Sequence, residues 1–146
     1  MTYKEAYRKA CERFKKMGIV DAESDAWILL EHVTGMSQAI FWADGNREMK
    51  SEEAEMYCGL AKKRLERIPV QHLTGHQEFM GIDFIVSPAV LVPRQDTEIL
   101  VEQAEKVLEP KMKVLDMCTG SGCIAVSYTH LYSKQKAQIK SAKHHF

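Results

Sequence analysis

The sequence predicts an α + α/β chain: a helical bundle over 1–68, a β-hairpin linker over 69–95, and the opening of an α/β domain over 96–126. Three observations carry this. Apolar residues recur at three- and four-residue steps in successive stretches before Pro69, which is the period of amphipathic helices. Around Gly81 the pattern switches to an alternating run rich in β-formers. Beyond Pro110, a short apolar run, a glycine-bearing turn and a new helix start follow one another, as at the opening of a parallel-sheet domain.

The elements follow in chain order. Thr2 and Glu5 stand at capping-box spacing, and Ala6, Tyr7, Ala10, Cys11, Phe14 and Met17 form one stripe that Gly18 ends. A second helix starts with Asp21 as N-cap, buries Ala22, Ala26, Trp27, Leu30 and Val33, and stops at Thr34-Gly35. Ser37 caps a short third helix through Phe41-Trp42, closed by Asp44-Gly45. Ser51 caps a fourth, with Ala54, Tyr57, Cys58, Ala61, Leu65 and Ile68 on its inner face, and Pro69 ends it. Trp27 reads as core. Trp42 lies near a turn and reads either as core or as a side chain turned to a partner. Residues 78–86 read as a hairpin turning at Gly81, and 89–92 as an extended piece between Pro88 and Pro93. Asp96 or Thr97 caps a helix running to Leu108, with Leu100, Ala104, Val107 and Leu108 facing in. Val114-Leu115-Asp116 is the strand candidate.

Composition narrows the classes. At 45% hydrophobic and 27% charged residues, the 146-residue chain is a folded protein by composition rather than a disordered or fibrous one. Its 20 basic and 20 acidic side chains cancel, so no overall charge draws it to nucleic acid or an anionic membrane. The balance is uneven, because residues 127–146 carry four lysines and no acid, leaving a net of −4 before them. No run of 18 apolar residues predicts a membrane span, and Met1-Thr2-Tyr3-Lys4-Glu5 is not followed by the apolar core of a leader. The cysteines at 11, 58, 118 and 123 form no CxxC pair and have no histidine at zinc-finger spacing. Reduced thiols in a cytoplasmic protein without a metal site are the expectation.

The chemistry lies in 114–125. An apolar strand candidate ends on Asp116, and Gly120 and Gly122 sit two apart where a helix begins. Glycines there let a ligand reach the backbone, and the free amides of a helix start point at the same place. Doubly wound folds bind ligands outside the carboxyl ends of their strands. Gly120-x-Gly122-x-x-Ala125 also has the form of the dinucleotide fingerprint. A diphosphate, however, is repelled by a carboxylate at Asp116, whereas the sulfonium and ammonium of S-adenosylmethionine suit it. The plain alternative is a turn that needs two glycines.

These residues resemble the protein-(glutamine-N5) methyltransferases that modify peptide chain release factors, the HemK/PrmC family. The matching pieces are 69–75 (PVQHLTG), 78–81 (EFMG), 90–98 (VLVPRQDTE) and 114–125, in matching order and spacing. The resemblance covers residues 1 to about 126 and is strongest from 69 to 125. It implies a helical N-terminal bundle that docks the release factor, a hairpin, and then the start of a class I (Rossmann-like) methyltransferase domain. S-adenosyl-L-methionine is the implied cofactor. Asp116, Cys118, Thr119, Gly120, Ser121 and Gly122 match the cofactor loop and the acid before it. Arg94, Thr97 and Glu98 fall in a signature segment of an active-site loop. An Arg94–Glu98 ion pair that orders this loop is the plain alternative there, and for His72 it is a hydrogen-bonded linker residue. The implied reaction is methylation of the side-chain amide nitrogen of the glutamine in a Gly-Gly-Gln motif. A cytoplasmic monomer with a release factor as partner, and with neither nucleic acid nor membrane, completes the expectation. A non-catalytic helical binding module is the alternative.

The sequence also departs from the family. Asn-Pro-Pro-Tyr, which would grip the substrate glutamine, occurs nowhere in these residues, so no catalytic residue is assigned. An amide nitrogen is a poor nucleophile, and its orientation in line with the methyl group is what such a motif supplies. After Val126 the sequence has no apolar periodicity, acid or glycine, and 127–146 reads as an atypical basic tail foreign to the family, as from out-of-frame translation or adapter read-through; an RNA-binding basic tail or a short amphipathic helix is the alternative. Without neighbours for its strand, 96–126 is expected to expose Ile99, Leu100, Val107, Leu108, Val114, Leu115 and Ile124 and to be cut by protease before the bundle.

Overall fold

The computed structural model describes residues 1–109, 112–117 and 119–130. It divides into two compact units, one of Met1–Thr74 and one beginning at Gly75.

The first unit holds α1 (Tyr3–Lys16), α2 (Ala22–Thr34), α3 (Gln38–Asp44), α4 (Ser51–Leu65) and α5 (Val70–Thr74). Thr2 opens α1 with a capping box: its hydroxyl accepts from the Glu5 amide at 3.2 Å, and its own amide donates to the Glu5 carboxylate at 3.0 Å. Ser37 caps α3 by accepting from the Ile40 amide. Asp21 stands at the N-cap of α2 without a side-chain capping bond. The cap expected at Ser51 falls one residue earlier, where the Lys50 amide donates to Glu53 at 3.4 Å. Residues 70–74, read from the sequence as linker, are helical, because Val70 is buried with the bundle and Leu73 packs on it.

α2 packs on α1, α4 and α5 and so forms the middle of the unit. Phe14, Ala26, Leu29 and Leu30 are wholly buried, with Ala6, Ala10 and Ala22 beside them. Burying each large apolar side chain contributes about 1.5–3 kcal/mol before the entropy of ordering it. Two polar links cross this core. The Tyr57 hydroxyl donates to the Ala26 carbonyl at 3.1 Å, and Arg64 Nε donates to Asp25 Oδ2 at 2.7 Å. Asp25 is 5% exposed. At the far end of α4, Arg67 adopts φ +69° and gives its guanidinium to the carbonyls of Met17 and Gly18, capping α1 from outside.

Three sequence expectations for the bundle are corrected. Cys58 is exposed, because Tyr57 carries the inner face of that turn. Trp27 and Val33 are only half-buried, and Leu29 takes the core position beside Leu30. Met17 is half exposed. The core is instead completed by Ile19, Met36 and Met49, which lie in connections where no periodicity marks them.

The second unit contains the hairpin β1 (His76–Phe79) and β2 (Ile82–Ile85), followed by α6 (Asp96–Glu105) and helical residues 123–130. Phe79 pairs with Ile82 across a two-residue turn at Met80-Gly81. Both turn residues have positive φ, +53° and +70°, the mirror-image turn whose twist matches a hairpin. Phe79 and Phe84 meet edge to face at 6.3 Å and are buried with Val101 and Cys123.

Corrections follow here too. The inner residue of α6 is Val101, while Leu100 and Val107 are exposed and Leu108 is half-buried. The predicted stripe is one position off at Leu100, since consecutive helical residues point some 100° apart, and Val107 and Leu108 lie past the helix end at Glu105. Val114-Leu115-Asp116 is not a strand. Among the described residues β1 and β2 form the whole sheet, and no ladder partner reaches 114–116. Of the seven side chains expected to be exposed, Ile99, Leu100, Val107, Val114 and Leu115 are, while Leu108 and Ile124 are half-buried. The helix runs on through Val126, with Ser127 fully buried.

Two predictions follow for the bundle. Arg64→Ala leaves a buried carboxylate unpaired and should cost about 3 kcal/mol in urea unfolding. The double change Asp25→Leu with Arg64→Met should recover most of it. The Tyr3 hydroxyl donates to Glu53 at 2.7 Å, which holds the Glu53 carboxyl below the usual range and pushes the Tyr3 hydroxyl up. A depressed carboxyl stabilises the fold above its unfolded value and stops doing so as pH falls through its folded value. Thermal midpoints should therefore drop on acidification below the ordinary glutamate range, and the drop should be shallower in Glu53→Gln.

Candidate functional site

The loop 119–122 follows Asp116 closely and leads directly into the helical residues 123–130. Gly120 and Gly122 have φ of +57° and +78°, so both glycines sit where a Cβ is strained. The Gly122 amide donates to the Thr119 carbonyl at 2.9 Å, which closes a tight turn, and the Gly122 carbonyl accepts from Val126 at 2.9 Å, the first helical bond. The Thr119 hydroxyl donates to Asp116 Oδ2 at 2.8 Å and turns the carboxylate toward the loop. Nothing within 4 Å faces a Cβ built on Gly122, so space stays open beside the backbone there. Ser121 is half-buried in the turn. Cys118 lies outside the described residues.

A cleft of about 290 Å³ opens next to Asp116, with Leu108, Met112, Val114, Ala125 and Tyr128 among its walls. It is mostly apolar, with two carboxylates, Glu109 and Asp116, on its lining. Thr119, Gly120, Ser121 and Gly122 do not line it.

The signature segment sits elsewhere in this unit. Arg94 is exposed and makes no ion pair with Glu98 among the described residues, which corrects that expectation. Glu98 instead accepts from the Met80 amide at 2.7 Å, so its carboxylate ties the start of α6 to the hairpin turn. The amides of Thr97 and Glu98 donate to the carbonyls of Arg94 and Gln95. No hydrogen bond links Arg94, Thr97 or Glu98 to 116–122 among the described residues. The His72 Nε2 atom is buried and meets no hydrogen-bond partner among the described residues, while the His72 amide donates to the Pro69 carbonyl at 3.0 Å.

Sequence reasoning missed one grouping in the bundle. Phe41 is 2% exposed and meets Tyr7, Trp27 and Trp42 edge-on at 5.3–5.4 Å. The signal was the recurrence of aromatics on three separate helices, which periodicity along one helix does not reveal. Burial pushes the Tyr7 hydroxyl up to about 12, helped by its bond with Cys11, and burial raises the Cys11 thiol as well.

A helical domain joined to a unit with a glycine turn beside a carboxylate defines the class, and comparison with known proteins gives what it is similar to. The family model of the PrmC N-terminal domain matches residues 5–75, so this segment is similar to that domain. It is 43% identical over 104 residues to the release factor glutamine methyltransferase of Escherichia coli strain K12, a match covering 70% of this chain and 38% of that protein. It is 36% identical over 138 residues to the protein of the same name from Koribacter versatilis, covering 93% of this chain and 49% of the relative. The Geobacter sulfurreducens protein of that name is 38% identical over 110 residues, covering 75% and 39%. The chain thus spans less than half the length of these curated relatives.

Glu98→Ala removes the acceptor for the Met80 amide. Hydrogen exchange at Met80 should quicken by at least about tenfold, the size expected for a bond to a charged group, while the bundle amides stay unchanged.

Proposed function

We propose that these residues serve a release factor glutamine methyltransferase, with the bundle as docking domain and 96–126 as part of the methyltransferase domain. The observation that carries this is the 36–43% identity to proteins of that name, over matches that extend well beyond residues 5–75. S-adenosyl-L-methionine is the proposed cofactor, with Asp116, Cys118, Thr119, Gly120, Ser121 and Gly122 as its loop. What supports it is chemistry: a carboxylate oriented by Thr119 suits a cationic ligand, and two left-handed glycines keep the turn open to it. The cofactor supplies an electrophilic methyl group. The acceptor is the side-chain amide nitrogen of glutamine in a Gly-Gly-Gln motif. Arg94, Thr97 and Glu98 border the active site in this reading, and Glu98 acts by fixing the hairpin turn.

Asn-Pro-Pro-Tyr does not occur in these residues, and they are proposed to bind without transferring a methyl group on their own. A second reading, a helical binding module without chemistry, is favoured by one observation. The bundle has a core of its own, whereas 114–116 forms no strand.

The test is a pull-down of release factor with the full chain, paired with calorimetric titration of S-adenosylmethionine. Retention of the release factor, heat from the cofactor and no methylated glutamine by mass spectrometry are expected. Retention without cofactor heat turns the result to the binding module. Failure to retain any release factor sinks both readings.

A further inference from the structure

The aromatic group on the bundle forms a groove whose lining is unbalanced in charge. Its volume is about 290 Å³, with Phe41 as floor and Tyr7, Glu23, Ser24, Trp27, Gln38 and Trp42 as walls. One acid lines it and no base does. The interplanar angles to Phe41 are 62–70°, so none of the three outer rings is stacked flat against it. Trp42 is 69% exposed, and Ile40 beside it is 51% exposed. A large aromatic side chain left this open on a helix of seven residues contributes little to the unit's own core. Tryptophan and tyrosine are also the residues that anchor protein interfaces.

We propose that this groove receives an arginine side chain from a protein partner, its guanidinium against the indole rings and paired with Glu23. Aromatic faces attract cations, and a planar guanidinium both stacks and bonds a carboxylate in two places, as a lysine ammonium does not. Glu23 is held by Lys15, whose Nζ lies 2.5 Å from Oε1. That pair is well exposed on both sides, at 59% and 65%, so it is weak and open to exchange. A guanidinium that displaces Lys15 can bond both oxygens of the Glu23 carboxylate. This inference rests on the bundle being a docking domain and does not depend on which protein docks.

The chain contains two tryptophans, and both line the groove, so intrinsic fluorescence reports on it directly. The probe is the peptide acetyl-Ala-Leu-Arg-Leu-Ala-amide, titrated against the full chain beside versions with citrulline or leucine in place of arginine. A saturable change with the arginine peptide is expected, about fivefold tighter than with the uncharged citrulline peptide. Glu23→Gln should remove that preference, and Trp42→Ala should weaken binding with an unchanged helical circular dichroism spectrum. A leucine peptide that binds as well as the arginine peptide overturns the proposal, as does the lack of a saturable change. A release factor that binds the chain but is not displaced by the arginine peptide leaves the docking function standing and removes this groove from it.

Discussion

The carboxylate of Asp25, buried within α2, requires a cation, and Arg64 on α4 supplies it. From that pairing most of the bundle's geometry follows. Arg64 also reaches the Ile68 carbonyl at 3.4 Å, so one guanidinium serves α2 and the end of α4 together. The next residues then turn through Arg67, whose own guanidinium closes α1, and lead into α5. A hydrophobic pair at the same two positions would hold the helices as strongly, but it would not fix their register to one acceptor. Desolvating two charges is costly, and geometry this direct is what offsets the cost.

Much of this bundle was legible in the sequence because its helices are amphipathic and separately capped. Thr2 with Glu5, and Ser37 before α3, mark helix starts by chemistry that acts within one turn. What escaped depended on distant partners. Ile19, Met36 and Met49 are buried by helices far from them in sequence. Helix α5 is five residues long and exists because Val70 and Leu73 meet the bundle. The Tyr7–Trp27–Phe41–Trp42 group joins three helices, and no window along the chain contains it.

In the second unit, the turn at Gly81 and the glycines before residue 123 were legible, since positive φ is a local demand that glycine meets. The strand at 114–116 was not settled by its own residues, because a strand is defined by its neighbour. Val114 and Leu115 have the apolar character of an inner strand and yet are exposed. Charge alone offers Glu98 to Arg94, the plain alternative to an active-site role for that segment. Glu98 answers instead to an amide 18 positions earlier, left free by a methionine in the left-handed region. A side-chain methionine at φ +53° is strained, and the charged acceptor offsets part of that strain.

The division after Thr74 has a consequence for synthesis. Every helix of the first unit is encoded before a residue of the second, and neighbouring helices such as α1 and α2 pack directly. Helical bundles rich in such local contacts fold in microseconds to milliseconds. At about 5–20 residues per second, a ribosome needs several seconds to proceed from Thr74 to residue 130. The bundle is therefore complete, with its aromatic groove formed, while the glycine loop is still being made.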